Sequence, residues 1–260
     1  MTDPHYDFER ILVERRDGGI VLFTLNRPER MNTTDAVMHR ELARLPRLLD
    51  VDDEARAGVI TGAGKAFSAG GDYETIAAEA GDYGRTVEMM RETTQILYGM
   101  VECRKPIVSA INGPAAGAGL AVALLADVSV VAEDTVLSDG HTRIGLAAGD
   151  HAALIWPLLC SMAKAKLYLL TARKIDGREA ERIGLVSAAV PRERVLDEAL
   201  AIARELAERP PLAVELTKRS LNHWIRAAMP AFESSLAYET VTSFSPQVAE
   251  EIAKLLARKR

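Results

Sequence analysis

Residues 105–127 read KPIVSAINGPAAGAGLAVALLAD and say most about the fold. PIVSAI is typical of a buried strand, Asn-Gly-Pro is typical of a turn, and the Ala- and Leu-rich run that follows indicates a buried helix. DVSVVA (127–132) predicts another strand. Residues 107–132 are also apolar for long enough to cross a membrane. That alternative is disfavoured by the turn and by three polar or helix-breaking residues inside the segment, Asn112, Pro114 and Asp127.

A second glycine-rich turn follows a short buried strand that we predict at residues 57–60. Residues 57–72 read AGVITGAGKAFSAGGD, and neither glycine-rich turn matches a dinucleotide fingerprint or a P-loop in full. Glycine and alanine at a strand-to-helix turn leave backbone N–H groups free to point outward, and a helix N-terminus adds partial positive charge. Two such groups that converge would stabilise a developing oxyanion. The alternative is close packing of small residues without chemistry.

The rest of the chain continues this alternation and then becomes helical. Residues 11–14 and 20–25 predict a β-hairpin around Gly-Gly, and Thr34 or Asp35 can cap a helix that runs to Leu49. Strands separated by helices indicate the α/β class. Further helices are predicted at 84–102, 151–171, 178–183, 192–208, 211–228, 230–242 and 246–258. The predicted division is an α/β core at 1–190 and a helical C-terminal region at 191–260.

The composition is that of a globular protein and excludes several classes of partner. Hydrophobic residues make up 48% of the 260 and charged residues 27%, with a formal net charge of −5. No basic stripe accompanies clustered aromatics, so we expect neither a nucleic-acid nor a membrane partner. The N-terminal MTDPHYDFER is polar and does not read as a signal peptide. Cys103 and Cys160 lie in apolar surroundings and are expected to be buried thiols, which fits a cytoplasmic location.

Four segments occur in an order and spacing that resemble a known family. They are TLNRPERMN (24–32), AGVITGAGKAFSAGGD (57–72), KPIVSAINGPAAGAGLAVALLAD (105–127) and YLLTARKIDGREAERIGLVSAAVP (168–191). They resemble the crotonase (enoyl-CoA hydratase/isomerase) superfamily. The resemblance implies a core of repeated ββα units in a spiral, then helices that drive assembly into a homotrimer or a hexamer made of two trimers. It also implies an acyl-CoA substrate, with CoA entering only as part of the substrate. No metal or redox cofactor is expected, because the sequence holds no cluster of metal ligands.

The same resemblance implies an oxyanion hole for the thioester carbonyl. Carried over by position, its two N–H donors fall on Gly71 and Ala118, and a backbone donor needs no particular side chain. Ala69 and Asp72 flank the first donor and are candidate substrate-binding positions, with a structural role as the alternative for Asp72. The candidate contacts for the CoA phosphates are Arg27 and Arg30, for which exposed loop charge is the alternative.

The acid and base residues of the family's hydratases are missing. Their two glutamates correspond to Ala121 and His141, so the two-carboxylate hydration mechanism cannot run here. Asp150 and His151 follow, and either imidazole or carboxylate can serve as acid or base after a modest pKa shift. His141 could act as a base that Asp150 orients, or Asp150 could act directly. The alternatives are a helix N-cap for Asp150, a loop histidine for His141, and a His151 that points elsewhere.

One branch of the superfamily, 6-oxocamphor hydrolase, has a similar pattern. The shared pattern is HxxxGxxxGD followed by WP, here His141 to Pro157, and this branch also implies active-site roles for His39 and Glu239. A helix-surface position is the alternative for both. The first glycine turn differs from that branch, since FSAGGD is of the CoA type.

Three functional hypotheses follow. The first is a hydratase- or isomerase-like enzyme that forms an enolate from an acyl-CoA and uses His141 and Asp150 as a non-standard acid–base pair. The second is a hydrolase that cleaves a C–C bond of a β-diketone, a small carbonyl substrate without CoA. The third is a scaffold without activity that keeps the fold for oligomerisation.

Overall fold

The computed structural model describes residues 5–79 and 81–257. The strands are β1 (Ile11–Arg16), β2 (Ile20–Leu25), β3 (Ala57–Gly62), β4 (Ile107–Ile111), β5 (Ala115–Ala116), β6 (Val128–Ala132), β7 (Val136–Ser138), β8 (Ile175–Asp176) and β9 (Ala188–Val190). The helices are α1 (Ala36–Val51), α2 (Tyr73–Glu79), α3 (Tyr83–Glu102), α4 (Gly117–Leu125), α5 (Ala152–Cys160), α6 (Met162–Thr171), α7 (Gly177–Arg182), α8 (Val195–Glu208), α9 (Pro211–Ala227), α10 (Met229–Ser243) and α11 (Pro246–Ala257). Short 3₁₀ turns occur at Pro28–Arg30, His141–Ile144 and Arg192–Arg194.

Six strands form the main sheet in the order β1-β2-β3-β4-β6-β9. β1 and β2 make the antiparallel hairpin that the sequence predicts, and every later neighbour pairs in parallel. A smaller sheet has the order β5-β7-β8. Because parallel neighbours share their carboxyl edge, the turns that follow β3 and β4 are brought side by side. The predicted α/β class is confirmed.

The main sheet is buried on both faces, which explains why its strands are apolar without alternation. Along β2, Ile20 and Leu22 belong to a cluster covered by α8, whereas Val21 and Phe23 point to the other face. That second face carries the larger core, to which α1, α3 and α4 contribute. Since α8 packs against β3, β4 and β6, it completes the core of the sheet. The division at residue 190 stays a prediction.

Most predicted helices are present, with one clear error and several omissions. Asp35, one of the two predicted caps, accepts the N–H of Met38 and begins α1. The predicted continuous helix at 151–171 is wrong, because Ser161 adopts a φ of 77° and separates α5 from α6. A positive φ breaks the helical hydrogen-bond ladder at that residue. The prediction did not include α2 or the short strands β5, β7, β8 and β9. Residue 258, the predicted end of the last helix, lies outside the described residues.

The apolar segment at 107–132 forms β4, β5, α4 and β6, as its internal turn predicts. Across the part of the chain that the structure describes, no helix has the length and apolarity to cross a membrane. Cys103 and Cys160 are free, buried thiols, as expected. Burial raises the pKa of the Cys103 thiol to about 11, so it is a packing residue at neutral pH.

Candidate active site

The two glycine-rich turns touch each other. Ser68 in the first turn donates its N–H to the carbonyl of Pro114, and Ala116 in the second donates to the carbonyl of Ser68, at 3.2 and 2.9 Å. A Cβ added to Gly117 would lie 3.5 Å from the backbone nitrogen of Gly71, and Gly117 has a φ of +49°. Only glycine combines that φ with so close an approach. The N–H of Gly71 therefore lies beside the N-terminus of α4.

Gly71 and Ala118 both hold unused backbone donors. Gly71 forms a parallel bridge with Thr34, in which Thr34 donates to Gly70 and Asp72 donates to Thr34. The N–H of Gly71 itself is left out of this pairing. Ala118 is the second residue of α4, where an N–H has no partner inside the helix. Among the hydrogen bonds of residues 5–79 and 81–257, none uses either N–H, so both are available to an oxyanion.

Both donors line a cavity of about 220 Å³. Ala69 lines it as well, together with residues of α1, α3 and α10. All four side chains that were candidates for catalysis reach this cavity, namely His39, His141, Asp150 and Glu239. The helix-surface alternative is wrong for His39 and Glu239, and the cavity joins the acid–base candidates to the oxyanion donors.

His141 begins the 3₁₀ turn after β7, and its ring is oriented by Asp139. The Nδ1 atom of His141 lies 3.0 and 3.1 Å from the two carboxylate oxygens of Asp139, which is 1% exposed. The Nε2 atom lies 3.9 Å from Asp150 and 3.6 Å from Glu239. The expectation that Asp150 orients His141 is therefore wrong. Asp139 takes that role, and Nε2 faces two carboxyl groups instead.

Asp150 is not the N-cap of α5. That position is occupied by His151, and no side chain caps the helix. One oxygen of Asp150 accepts both the backbone N–H of His151 at 2.7 Å and a contact from its ring Nδ1 at 2.6 Å. His151 is 1% exposed and does not line the cavity. His151 contacts one oxygen of the Asp150 carboxylate from outside the cavity, and the other oxygen lies on the side of His141.

The loop before Asp150 is fixed to α10, which brings Glu239 into the site. Ala147 donates its N–H to the hydroxyl of Thr242 at 3.0 Å, and the hydroxyl of Ser235 donates to the carbonyl of Gly149 at 3.2 Å. A Cβ on Gly149 would come within 2.5 Å of Glu239. The absence of a side chain at Gly149 thus allows Asp150 and Glu239 to share one site.

Three carboxyl groups set the charge of His141. Burial alone would lower the pKa of His141, but the charges of Asp139, Asp150 and Glu239 outweigh it and raise that pKa well above its usual value. Burial would also raise the pKa of Asp150, but the neighbouring His151 and His141 hold it well below its usual range. Burial raises the pKa of Glu239, opposed in part by the charge of His141. At neutral pH the site therefore holds an imidazolium, an ionised Asp150, and a Glu239 that is a stronger base than an ordinary glutamate.

Asp139, Asp150 and His151 form a cluster that the sequence did not reveal. Each offers one potential metal-ligand atom, and these atoms lie within 4.8 Å of one another. Each carboxylate already binds an imidazole, Asp139 that of His141 and Asp150 that of His151. The arrangement is thus a network of carboxylate–histidine pairs, in which each carboxylate compensates a buried ring.

A second histidine–carboxylate pair stands on another wall of the cavity. Nδ1 of His39 on α1 lies 2.5 Å from a carboxylate oxygen of Glu92 on α3. The side chains are 14% and 13% exposed, and both line the cavity. No motif in the sequence drew attention to Glu92.

The candidate CoA-binding residues differ in their exposure and in the hydrogen bonds and ion pairs that they already make. The guanidinium of Arg27 donates to the carbonyl of Thr33 at 2.5 Å and lies 3.4 and 3.5 Å from Asp35 and Asp72. Asp72 accepts the N–H of Glu74 at the start of α2 and does not line the cavity, which fits its structural alternative. The side chain of Arg30 is 53% exposed, 3.4 Å from a carboxylate oxygen of Glu74. Arg30 is the more accessible of the two arginines, and phosphate binding by either stays a prediction.

Replacing Asp139 with Asn should lower the pKa of His141, because the amide keeps an oxygen beside Nδ1 but removes the largest charge that raises it. The rate of a step that needs the imidazolium falls as pH rises through that pKa. In the variant this fall should therefore occur at a lower pH. NMR titration of the ring and the pH profile of kcat would measure the change. Asp134→Asn, at an exposed carboxylate paired with Arg192, is the control. An unmoved midpoint in Asp139→Asn would show that Asp139 does not set the charge of His141.

Known proteins are similar to this chain in both sequence and fold. Residues 15–250 match the model of the enoyl-CoA hydratase/isomerase family. A crystal structure of an enoyl-CoA hydratase/isomerase from Mycobacterium paratuberculosis is 39% identical, covers 96% of this chain and 100% of its own, and has a TM-score of 0.91.

Two relatives differ in the activity that their names give. A protein of Rhodobacter capsulatus, named as a probable enoyl-CoA hydratase, is 37% identical over 216 residues, or 82% of this chain and 81% of the relative. The 1,2-epoxyphenylacetyl-CoA isomerase of Escherichia coli is 31% identical over 208 residues, or 78% and 79%. Proteins similar to this chain thus carry the names of both hydratases and isomerases.

Proposed function

This chain belongs to the enoyl-CoA hydratase/isomerase family, and we propose that it forms an enolate from an acyl-CoA thioester and moves a proton with an unusual histidine–carboxylate set. The observation that carries the proposal is the placement of two unused N–H groups, on Gly71 and Ala118, in one cavity with His141, Asp150 and Glu239. Oriented donors of this kind stabilise negative charge as it develops on a carbonyl oxygen. The relatives named above supply the substrate class, an acyl-CoA.

The charges of the three side chains suggest a division of roles. Asp150 is ionised but is a weak base, because its pKa is held low. Glu239 has a raised pKa and its carboxylate is the better proton acceptor. His141, held as an imidazolium 3.6 Å from Glu239, is the acid. In our proposal Glu239 takes a proton from the carbon next to the thioester carbonyl, and the electron pair moves to the oxygen at Gly71 and Ala118.

The enolate can then be reprotonated, which needs no further reactant. If a proton returns from Glu239 or His141 to the far end of a conjugated enolate, the double bond shifts and the net reaction is an isomerisation. Hydration would add one water across the double bond. The hydratase position after the second turn holds Ala121, which is 4% exposed and cannot exchange protons, so the proton-transfer reaction is the better supported of the two.

The second candidate is hydrolysis of a C–C bond in a β-diketone. It is supported by the presence of His39, His141, Asp150 and Glu239 in one cavity, which are the positions implied by the 6-oxocamphor hydrolase branch. Water would add to one carbonyl, the C–C bond would break, and the pair of electrons would leave as an enolate that Glu239 or His141 protonates. Both candidates use the same oxyanion donors. They differ in whether CoA is part of the substrate.

A panel of enoyl-CoAs and β-diketones, assayed with wild type and Asp150→Asn, tests the proposal. We expect turnover of an acyl-CoA that free CoA inhibits by competition. If calorimetry and thermal shift detect no acyl-CoA binding, the first candidate is excluded. If turnover of some substrate is found and is lost in both His141→Ala and Asp150→Ala, the hypothesis of an inactive scaffold is excluded instead.

We also propose that the chain assembles through a group of four helices, two of them in the predicted C-terminal region. α5 packs against α6, α9 and α10, and these four helices carry large apolar side chains that no part of the described chain covers. Trp224 is 74% exposed, Val241 72% and Leu170 71%. The others are Leu158, Leu159, Met162, Leu167, Leu212, Leu216, Leu221 and Tyr238. Exposed apolar surface on this scale marks an interaction site.

Replacing Trp224 with Glu should break that assembly, because burying an unpaired carboxylate in an apolar interface is costly. Light scattering after gel filtration should give a multiple of 28.3 kDa for wild type and a smaller multiple for the variant. Arg204→Glu, an exposed position on α8, is the matched charge control. A wild type that runs as a monomer would contradict the proposal.

A further inference from the structure

We propose that His39 and Glu92 recognise an uncharged oxygen substituent, a hydroxyl or an oxo group, on the acyl chain of the substrate. The inference rests on the proposed function, because the thioester must sit at Gly71 and Ala118 for the acyl chain to reach this wall. The pair is formed by α1 and α3, with Nδ1 of His39 2.5 Å from Oε2 of Glu92. Both side chains line the cavity that contains the oxyanion donors.

The pair lies two turns from a close apolar contact between the same two helices. Two turns further along both helices, Pro46 packs directly against Gly99, where an added Cβ would lie 3.3 Å from the proline. Leu42 and Ile96, on the same two helices, belong to the apolar core. A buried histidine–carboxylate pair gains little stability over apolar residues of the same size. The pair is therefore better explained by a ligand than by folding.

His39 keeps one ring nitrogen for that ligand. Glu92 binds Nδ1, and within the described parts of the chain the ring makes no other hydrogen bond or ion pair. Nε2 makes no hydrogen bond within the described chain and is not fully buried, so it remains accessible. A ring held through Nδ1 presents Nε2 in a fixed direction, either as an acceptor for a hydroxyl or, when protonated, as a donor to an oxo group.

Glu92 disfavours an anionic substituent at Nε2 of His39. Its carboxylate already pairs with Nδ1, so a carboxylate on the acyl chain would have to share one imidazole with a second like charge. An unsubstituted alkyl chain would leave Nε2 desolvated and without a partner, which costs affinity. A neutral oxygen is the group that satisfies both conditions.

Calorimetry with matched acyl-CoAs of four to six carbons, with and without a hydroxyl or oxo group on the chain, tests the inference. Wild type should bind the oxygenated member about tenfold to a hundredfold more tightly. His39→Leu/Glu92→Leu removes both polar partners together, so neither is left buried alone, and should bring the two affinities to within about threefold of each other. Arg40→Gln and Arg91→Gln, exposed neighbours on the same helices, should keep the wild-type preference.

Glu92 acts through His39 by orienting its ring. Variants of Glu92 distinguish this positioning role from a role in folding. Glu92→Gln keeps an acceptor for Nδ1 and should keep part of the preference, whereas Glu92→Leu should lose it while KM for the unsubstituted chain stays near wild type. Equal binding of the two ligands by wild type would overturn this inference alone. Binding of neither would overturn the proposed function, and this inference with it.

Discussion

Replacing His141 with Asn should lower kcat by about two to four orders of magnitude, the usual contribution of a positioned acid or base. Asn can still donate to Asp139 but cannot carry or transfer a proton. Nε2 of His141 is the group that faces both Asp150 and Glu239, at 3.9 and 3.6 Å, so the variant removes the proposed proton donor from between two carboxyl groups. The measurement is steady-state turnover on the substrate identified by the acyl-CoA and diketone panel.

The stability of the His141→Asn protein must be measured beside its activity. The variant leaves three buried carboxyl groups without their shared cation, and breaking a buried ion pair costs about 3–5 kcal/mol. The wild-type contribution has a defined pH dependence: because the folded pKa of His141 is raised, it is fully present below the unfolded value near 6.5 and is lost as pH rises through the folded pKa. Activity is therefore compared well below the melting temperature of both proteins.

His223 supplies the matched control, since it is an exposed histidine on α9. His223→Asn should keep wild-type turnover and wild-type stability. A folded His141→Asn protein with more than a tenth of wild-type kcat would show that His141 is not the acid, and would leave Asp150 and Glu239 as the only titratable candidates on that wall.

The outline of the fold was readable from the sequence because short-range patterns encode it. The glycine turns, the apolar strands and the cap at Asp35 are local features, and each lies where predicted. The break at Ser161 was missed because nothing in the side chains of an apolar helical run announces a positive φ. The short strands were missed because two or three residues carry no readable period.

The catalytic candidates show the same limit, because only local features of the sequence could be interpreted. Gly71 and Ala118 could be placed by position because the donors proposed there are backbone N–H groups. Asp139 is two residues from His141 and could have been suspected, since a carboxylate beside a loop histidine is a frequent partner. Glu92 is 53 residues from His39 and is paired with it only by the packing of α1 on α3. No pattern within the sequence carries that information.

Replacing Ala118 with Pro should lower kcat by about two to three orders of magnitude, because it deletes one oxyanion donor and no catalytic side chain. Ala118 lies in the first turn of α4, where its N–H has no partner in the helix, and proline is tolerated at such positions. Ala118→Gly changes the side chain but keeps the donor, so it should retain far more activity than the proline variant.

Tyr83→Pro places proline at the first position of α3, where the side chain is exposed and does not line the cavity, and reports the cost of proline at a helix start. If Ala118→Pro is folded and turns over like wild type, the carbonyl does not bind at α4. The enolate of a thioester and that of a cleaved diketone would both bind at this position, so the loss is expected with either substrate. In the proposed function the donors at Gly71 and Ala118 stabilise the enolate of either candidate reaction, and binding of CoA distinguishes the two substrates.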